Sequence, residues 1–216
     1  MKKINVAGQE VLLGNIFCIG RNYSEHIKEL NNANPGEPVV FLKPTSALIQ
    51  PGEQIQLPSF SQDIHHECEI VMYIGKDAAN VSQEEALNYV GGYAIGLDLT
   101  ARDVQTQLKA KGLPWTKAKG FPTSACLSHF IGSQAVENIN AETFYLNVNG
   151  QKRQQGNTQD MIFSCAYIVS YLSTIYGLQV GDIIYTGTPA GVAAIQSGDE
   201  LELVWPHKIT TKFSVA

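Results

Sequence analysis

The chain runs to 216 residues, 44% hydrophobic and only 16% charged, with 15 Lys+Arg against 20 Asp+Glu. A net charge of −5 and the lack of any Lys/Arg-dense run argue against a nucleic-acid surface. No apolar stretch approaches the ~18 residues of a membrane span. Low charge and 19 glycines predict instead a compact, turn-rich body, one domain over residues 1–216, with a substantial core. Met1-Lys2-Lys3-Ile4-Asn5 has neither an apolar signal segment nor an Arg-rich transit pattern. Cys18, Cys68, Cys126 and Cys165 form no CxxC pair and sit in apolar surroundings, which reads as buried, reduced thiols in a cytoplasmic protein.

In chain order, short strand-like runs dominate. Residues 15–20 are apolar and end on glycine, and residues 39–44 end on proline; residues 69–75, 92–99, 144–148 and 182–186 follow the same style. Asn149-Gly150 after Tyr145-Leu146-Asn147-Val148 predicts a tight hairpin, because both turn residues tolerate positive φ. Helical spacing covers residues 22–30. Ser82, with Glu85 three residues later, reads as a capping box that opens a second helix. Thr100 reads as the cap of a third, which stops at Gly112 with Pro114 beyond. The longest helix candidate is residues 161–176, closed by Gly177. Many strands with few helices make a strand-dominated, mixed α+β fold.

The most informative stretch is His65-His66-Glu67-Cys68-Glu69-Ile70-Val71-Met72-Tyr73-Ile74-Gly75. As a strand it sets Glu67, Glu69, Val71 and Tyr73 on one face and Cys68, Ile70, Met72 and Ile74 on the other. Two carboxylates on a buried face repel each other and lose hydration, so they need a cation. A strand end emerging into solvent would carry them equally well. Residues 91–100 form a nearly continuous apolar run whose lone charge is Asp98. Ala94, Gly96, Asp98 and Thr100 share a face, and such small neighbours leave room for something that is not protein. Three carboxylates from two strands suit an oxygen-ligated Mg²⁺ or Mn²⁺. Adjacent His65-His66, without an HExxH or paired-cysteine motif, does not suit zinc.

Other residues offer polar chemistry, each with an ordinary structural alternative. Arg102 and Gln105 are i,i+3 neighbours beyond Asp98 and could hold a small anionic, carbonyl-bearing substrate, or simply line an exposed amphipathic helix. After Arg21, His26 and Glu29 share a helical face, so the carboxylate could orient the imidazole as a base. A helix pair of this kind is also common surface. Residues 31–38 are polar and rich in breakers, a composition that lets a lid move. Lys119, in an aromatic-flanked loop, could set a cation against a developing oxyanion or be solvated. Thr186-Gly187-Thr188-Pro189-Ala190-Gly191-Val192 packs hydroxyls and backbone N–H groups into one turn that could grip a carboxylate.

Together these residues resemble the fumarylacetoacetate hydrolase superfamily, and most closely its small acylpyruvase branch with oxaloacetate decarboxylase-like and tautomerase-like members. The matching motifs are Gly20-Arg21-Asn22-Tyr23 with His26 and Glu29, Phe41-Leu42-Lys43-Pro44, His66-Glu67-Cys68-Glu69 and Gly91-Gly92-Tyr93. They continue through Asp98-Leu99-Thr100-Ala101-Arg102-Asp103-Val104-Gln105, Gly112-Leu113-Pro114-Trp115, Asn149-Gly150 and the turn from Thr186 to Val192. The resemblance implies a β-roll fold, a homodimer, and Mg²⁺ or Mn²⁺ held by Glu67, Glu69 and Asp98. It also implies that His26 and Glu29 ride on a short lid helix and activate water. Lys119 matches an active-site lysine, and Arg21, Arg102, Gln105 and Thr188 match substrate-contacting positions. One departure is that Pro122-Thr123 follows Phe121 where many members carry an acid. The acylpyruvase-like branch lacks that acid too.

The activity so implied is metal-dependent hydrolysis of the C–C bond of acylpyruvates, such as acetylpyruvate or fumarylpyruvate, to pyruvate and a carboxylic acid. Decarboxylation of oxaloacetate would yield the same pyruvate enolate, and reprotonation without cleavage would be tautomerisation. Oxaloacetate decarboxylase and oxaloacetate keto–enol tautomerase therefore stand as alternatives. A non-catalytic domain that binds a small acid is the alternative of another class.

Overall fold

The computed structural model describes residues 2–29 and 36–216, leaving aside the side chains of residues 26–28. In chain order the elements are β1 (Lys3–Val6), β2 (Gln9–Leu12), β3 (Ile16–Gly20), α1 (Ser24–Glu29), β4 (Val39–Lys43), β5 (Leu48–Ile49), β6 (Ile64–His66), β7 (Cys68–Ile74) and β8 (Val90–Asp98). They continue with β9 (Thr100–Ala101), α2 (Arg102–Ala110), α3 (Thr116–Lys119), β10 (Ala125–Leu127), β11 (Ile131–Gly132), β12 (Thr143–Val148) and β13 (Gln151–Asn157). The last are α4 (Cys165–Ile175), β14 (Ile183–Tyr185), β15 (Ala193–Ala194), β16 (Glu200–Trp205) and β17 (Ile209–Ser214). This is the strand-dominated α+β fold expected from the sequence.

The principal sheet runs β4-β3-β14-β7-β8-β10-β5 and mixes parallel with antiparallel pairs. Its two edges, β4 and β5, are joined by the four residues from Pro44 to Ala47. Such a link spans at most ~18 Å, whereas seven flat strands would hold their edges ~29 Å apart. The sheet must therefore roll until its edges approach. The inward face of the roll packs Ile16, Cys18, Val71, Tyr73, Ala94, Leu127, Ile183 and Tyr185. The outward face (Ile70, Met72, Ile74, Ile95, Leu97) packs against α4 and against the second sheet, β13-β12-β16-β17, through Phe144, Leu146, Leu201, Leu203 and Trp205. β7 is thus buried along its whole length, with the alternation read from its sequence.

Several local expectations hold. Asn149 and Gly150 turn with φ of 51° and 76° between β12 and β13, both positive as a two-residue type I′ turn requires. The four cysteines are buried and free. Other expectations need correction. Ser82 and Glu85 open no α-helix; a 3₁₀ turn at Ala86–Tyr89 feeds straight into β8, leaving no length for one. Thr100 does not cap α2 either, because it is strand and its hydroxyl turns back to the Asp98 carbonyl. The long helix starts at Cys165 rather than residue 161, since Ser164 caps it through the Tyr167 N–H while Ile162 and Phe163 are tied to Asn22. No helix among the described residues is long and apolar enough to cross a membrane.

The space beside Gly96 is also not a ligand's. A Cβ there would lie 2.5 Å from the Cys126 carbonyl oxygen and 2.9 Å from the Tyr185 ring. The Tyr185 hydroxyl donates to that carbonyl at 2.9 Å. The small residues of β8 make room for Tyr185 inside the roll. Gly96→Ala is accordingly expected to cost about 1–3 kcal/mol through overpacking against backbone, read as a lower denaturation midpoint with unchanged slope. A neutral effect would mean that β8 and β10 are free to separate.

Candidate active site

Several chain segments meet at one end of the roll. Glu67 fills the single-residue break between β6 and β7, Glu69 lies one position into β7, and Asp98 ends β8. Antiparallel register sets Glu69 opposite Gly96, and the Asp98 N–H donates to the Glu67 carbonyl at 2.9 Å. Neighbouring strand ends thus deliver their acids to one place. An oxygen from each of Glu67, Glu69 and Asp98 lies within 4.8 Å of the other two, and all three residues are buried.

Cations answer this concentration of charge. Lys119 Nζ donates to Glu67 Oε2 and Asp98 Oδ2, each at 2.7 Å. Arg102 Nη2 donates to Glu67 Oε1. Lys43, buried at the end of β4, sets its Nζ 2.7 Å from Asp98 Oδ1 and donates to the carbonyls of Leu99 and Lys119. Burial disfavours the Lys119 charge, but Asp98 and Glu67 outweigh it and push the ammonium up to about 12. The two carboxylates that Lys119 contacts thus favour its charged form.

Glu69 is compensated least. It accepts the Gly187 N–H at 2.7 Å. Burial first, then Asp98 and Glu67, hold its carboxyl well above the usual carboxylate range, against the opposing pull of Lys119 and the Gly187 N–H. Gly187 has a φ of 102°, and a Cβ there would meet Asn22 Cβ at 2.6 Å, so only glycine can deliver that N–H. The donor set suits a hard divalent cation. It offers buried carboxylate oxygens from three residues, and Asp98 Oδ1 accepts no hydrogen bond despite its ion pair with Lys43.

A cleft opens from the acids, lined by Arg21, Phe41, Arg102, Gln105, Lys109, Trp115, Lys119 and Thr188. Arg102 Nη1 donates to Gln105 Oε1 at 2.7 Å, as their helical spacing predicts. The Phe41 ring stands 5.9 Å from that of Trp115 and 4.8 Å from Lys119 Nζ. Arg21, between β3 and α1, is held at a φ of 60°, a strained conformation for a non-glycine residue at a candidate site.

Some predicted features are placed differently. Lys119 ends the short helix α3 rather than lying in a loop, and its ammonium is committed to Glu67 and Asp98. The turn from Thr186 to Val192 does grip carboxylates, but they are the protein's own. Gly187 N–H holds Glu69, and Gly191 N–H donates to Glu29 at 3.1 Å. The end of α1 is thereby tied to the site turn. The His26 side chain lies outside the described residues.

Sequence reasoning missed Lys43, Lys109 and Gln154 as site components. Lys43 was legible as a charge ending an apolar strand, and Lys109 as the next residue on the Arg102–Gln105 face. Gln154, from the second sheet, carried no signal. Its Oε1 lies 2.9 Å from His66 Nδ1 and accepts the Cys68 N–H at 3.0 Å, while its Nε2 donates to Thr188 Oγ1 at 2.8 Å and the Pro189 carbonyl at 3.0 Å. Thr188 Oγ1 in turn donates to the Cys68 carbonyl at 2.9 Å. One amide therefore clamps both residues flanking Glu67 to the turn that carries Thr188. Because that oxygen can only accept, His66 carries its proton on Nδ1.

Known proteins resemble this chain in sequence and fold. A family model described as fumarylacetoacetate (FAA) hydrolase C-terminal matches residues 15–213. The chain is 45% identical over 201 residues to a mitochondrial oxaloacetate tautomerase of Bos taurus, covering 93% of this chain and 91% of that one. It is 44% identical over 188 residues to a mitochondrial oxaloacetate decarboxylase of Dictyostelium discoideum, covering 87% and 86%. A crystal structure of fumarylpyruvate hydrolase from Pseudomonas aeruginosa, in complex with Mn²⁺ and pyruvate, superposes with a TM-score of 0.94 at 32% identity, covering 100% of this chain and 95% of that one.

Gln154→Leu strands the Cys68 N–H, the His66 Nδ1–H and the Pro189 carbonyl in a buried space. At about 1–3 kcal/mol for each such group, a loss of roughly 3 kcal/mol or more is expected in denaturant unfolding of the metal-free protein. A loss below about 0.5 kcal/mol would show that the Gln154 clamp is dispensable.

Proposed function

Because this chain belongs to the fumarylacetoacetate hydrolase family, we propose that it is a divalent-metal-dependent oxaloacetate keto–enol tautomerase. His26, Glu29 and Lys119 are assigned the catalytic roles, Glu67, Glu69 and Asp98 the metal, and Arg21, Arg102, Gln105 and Thr188 the substrate. The observation that carries this reading is a buried carboxylate triad at the base of a cleft lined by cations, which suits a small acid and a hard metal ion together. The relatives at 45% and 44% identity bear oxaloacetate names, whereas the fumarylpyruvate hydrolase is 32% identical. That difference favours oxaloacetate over the acylpyruvate hydrolysis that the sequence suggested first.

Mg²⁺ or Mn²⁺ held by the triad would supply electrophilic polarisation of a 2-oxo acid. The remaining work falls to side chains. Tautomerisation of the keto form breaks a C3–H bond and forms an O–H bond, and the reverse regenerates it. The site must therefore carry a proton at C3 and stabilise negative charge at the oxygen. Lys119 supplies positive charge, set against Glu67 and Asp98 at 2.7 Å each. His26, on α1, is the proton carrier, and Glu29 fixes the end of that helix against Gly191. Arg102, braced by Glu67 and Gln105, holds the anionic substrate in register.

Hydrolysis of an acylpyruvate is the second reading, favoured by the likeness to the Mn²⁺- and pyruvate-bound hydrolase. A side-by-side assay of enol-to-keto conversion of oxaloacetate, its decarboxylation and acetylpyruvate cleavage, each with Mg²⁺ and with Mn²⁺, separates the two. Tautomerisation is expected to show the highest kcat/KM. Acetylpyruvate cleavage exceeding it would transfer the assignment to hydrolysis.

Asp98→Asn keeps the shape of the site but removes one ligand charge. It is expected to lower metal-dependent kcat/KM at least 100-fold and to abolish the rise in Tm that excess Mn²⁺ produces by linkage. Full activity of this variant, or the same Tm rise, would remove Asp98 from the metal site.

A further inference from the structure

The helix α2 turns three polar side chains toward the cleft. Arg102, Gln105 and Lys109 occupy positions i, i+3 and i+7, one helical face, and all three line it. Arg102 is anchored at the acids through Glu67. Lys109 starts about 10 Å further along the axis, at 1.5 Å per residue. Its side chain lines the same cleft as the acids. Its ammonium stands 5.3 Å from the centroid of the Trp115 ring, which fixes its outer wall.

Two observations indicate that the cleft is built for an anion, and Arg21 carries the second of them to its far end. The lining side chains bring three negative and four positive charges. A divalent ion at the triad would leave a surplus of three positive charges, of which a monocarboxylate offsets one and a dicarboxylate two. In addition, Arg21 Nε and Arg102 Nε are buried and have no hydrogen-bond partner among the described residues. Buried donors of this kind ordinarily have an acceptor. Burial first, then the nearby charges of Arg21, Arg102 and Lys119, lower the Lys109 pKa, so the four cations crowd one another.

We propose that Lys109, together with Arg21, forms a subsite for the far carboxylate of the substrate and selects 2-oxo dicarboxylates over 2-oxo monocarboxylates. The inference rests on the reading of the triad and cleft as the site of a small 2-oxo acid. It extends that reading from a reaction to a specificity determinant. Arg102 and Gln105 serve the reacting end, and Lys109 and Arg21 the far end.

Malate and lactate are the probes, since they share a 2-hydroxy carboxylate and differ by one far carboxylate. Calorimetric binding to the Mn²⁺-loaded protein is expected to favour malate at least tenfold. Lys109→Met keeps the aliphatic packing on Trp115 and is expected to lose at least tenfold in malate affinity while lactate affinity moves less than twofold. Lys109→Arg is expected to restore most of the malate preference. In turnover, Lys109→Met should raise KM for oxaloacetate with little change in kcat. Equal affinity of the wild type for malate and lactate, or equal loss of both in Lys109→Met, would overturn the subsite. A malate preference that depends on Lys109, in a protein without tautomerase activity, would uphold the subsite and refute the assigned reaction instead.

Discussion

Like-charge repulsion inside a dry space is the constraint on which the rest of the structure depends. Glu67, Glu69 and Asp98 are brought within a few ångströms of one another by the antiparallel register of β7 and β8. Isolated carboxylates in such a place would be strongly destabilising. The fold answers with Lys43, Lys119 and Arg102, and with a glycine N–H whose position no other residue could supply. Compensation is least at Glu69, whose carboxylate is held by the Gly187 N–H at 2.7 Å.

The architecture holds that arrangement of charges in place. Rolling the principal sheet brings the β4 edge round, so that Lys43 reaches Asp98 from across the roll. Tyr185 fills the interior beside Gly96 and donates its hydroxyl to the Cys126 carbonyl of β10. The second sheet contributes Gln154, whose four contacts fasten the chain on both sides of Glu67 to the turn carrying Thr188. Remote elements therefore set the geometry of the acids as firmly as their own strands do.

Much of this was legible in residue order. The shared face of Glu67 and Glu69, the lone Asp98 in an apolar run and the Arg102–Gln105 pair follow from residue spacing, and the Asn149-Gly150 turn from the positive φ both residues tolerate. The alternation Glu200-Leu201-Glu202-Leu203, which sequence reasoning passed over, forms β16. Where local reading failed, a tertiary contact had overridden it. Ser82 and Glu85 spell a capping box, yet the chain must enter β8 at Val90. The small residues of β8 suggested a ligand's space, and a tyrosine from β14 occupies it.

The amino-acid order by itself determined the main strands of the rolled sheet, which side chains share a face, and that three acids would need a cation, because these depend on spacing along one chain. It also carried the family motifs. Only the tertiary structure decided which cations serve those acids, that the glycine-rich turn holds the protein's own carboxylates, and that Lys109 joins the cleft. Those outcomes depend on which distant segments the rolled sheet brings together, and no local period encodes a meeting between Lys43 and Asp98 or between Gln154 and the backbone of Cys68.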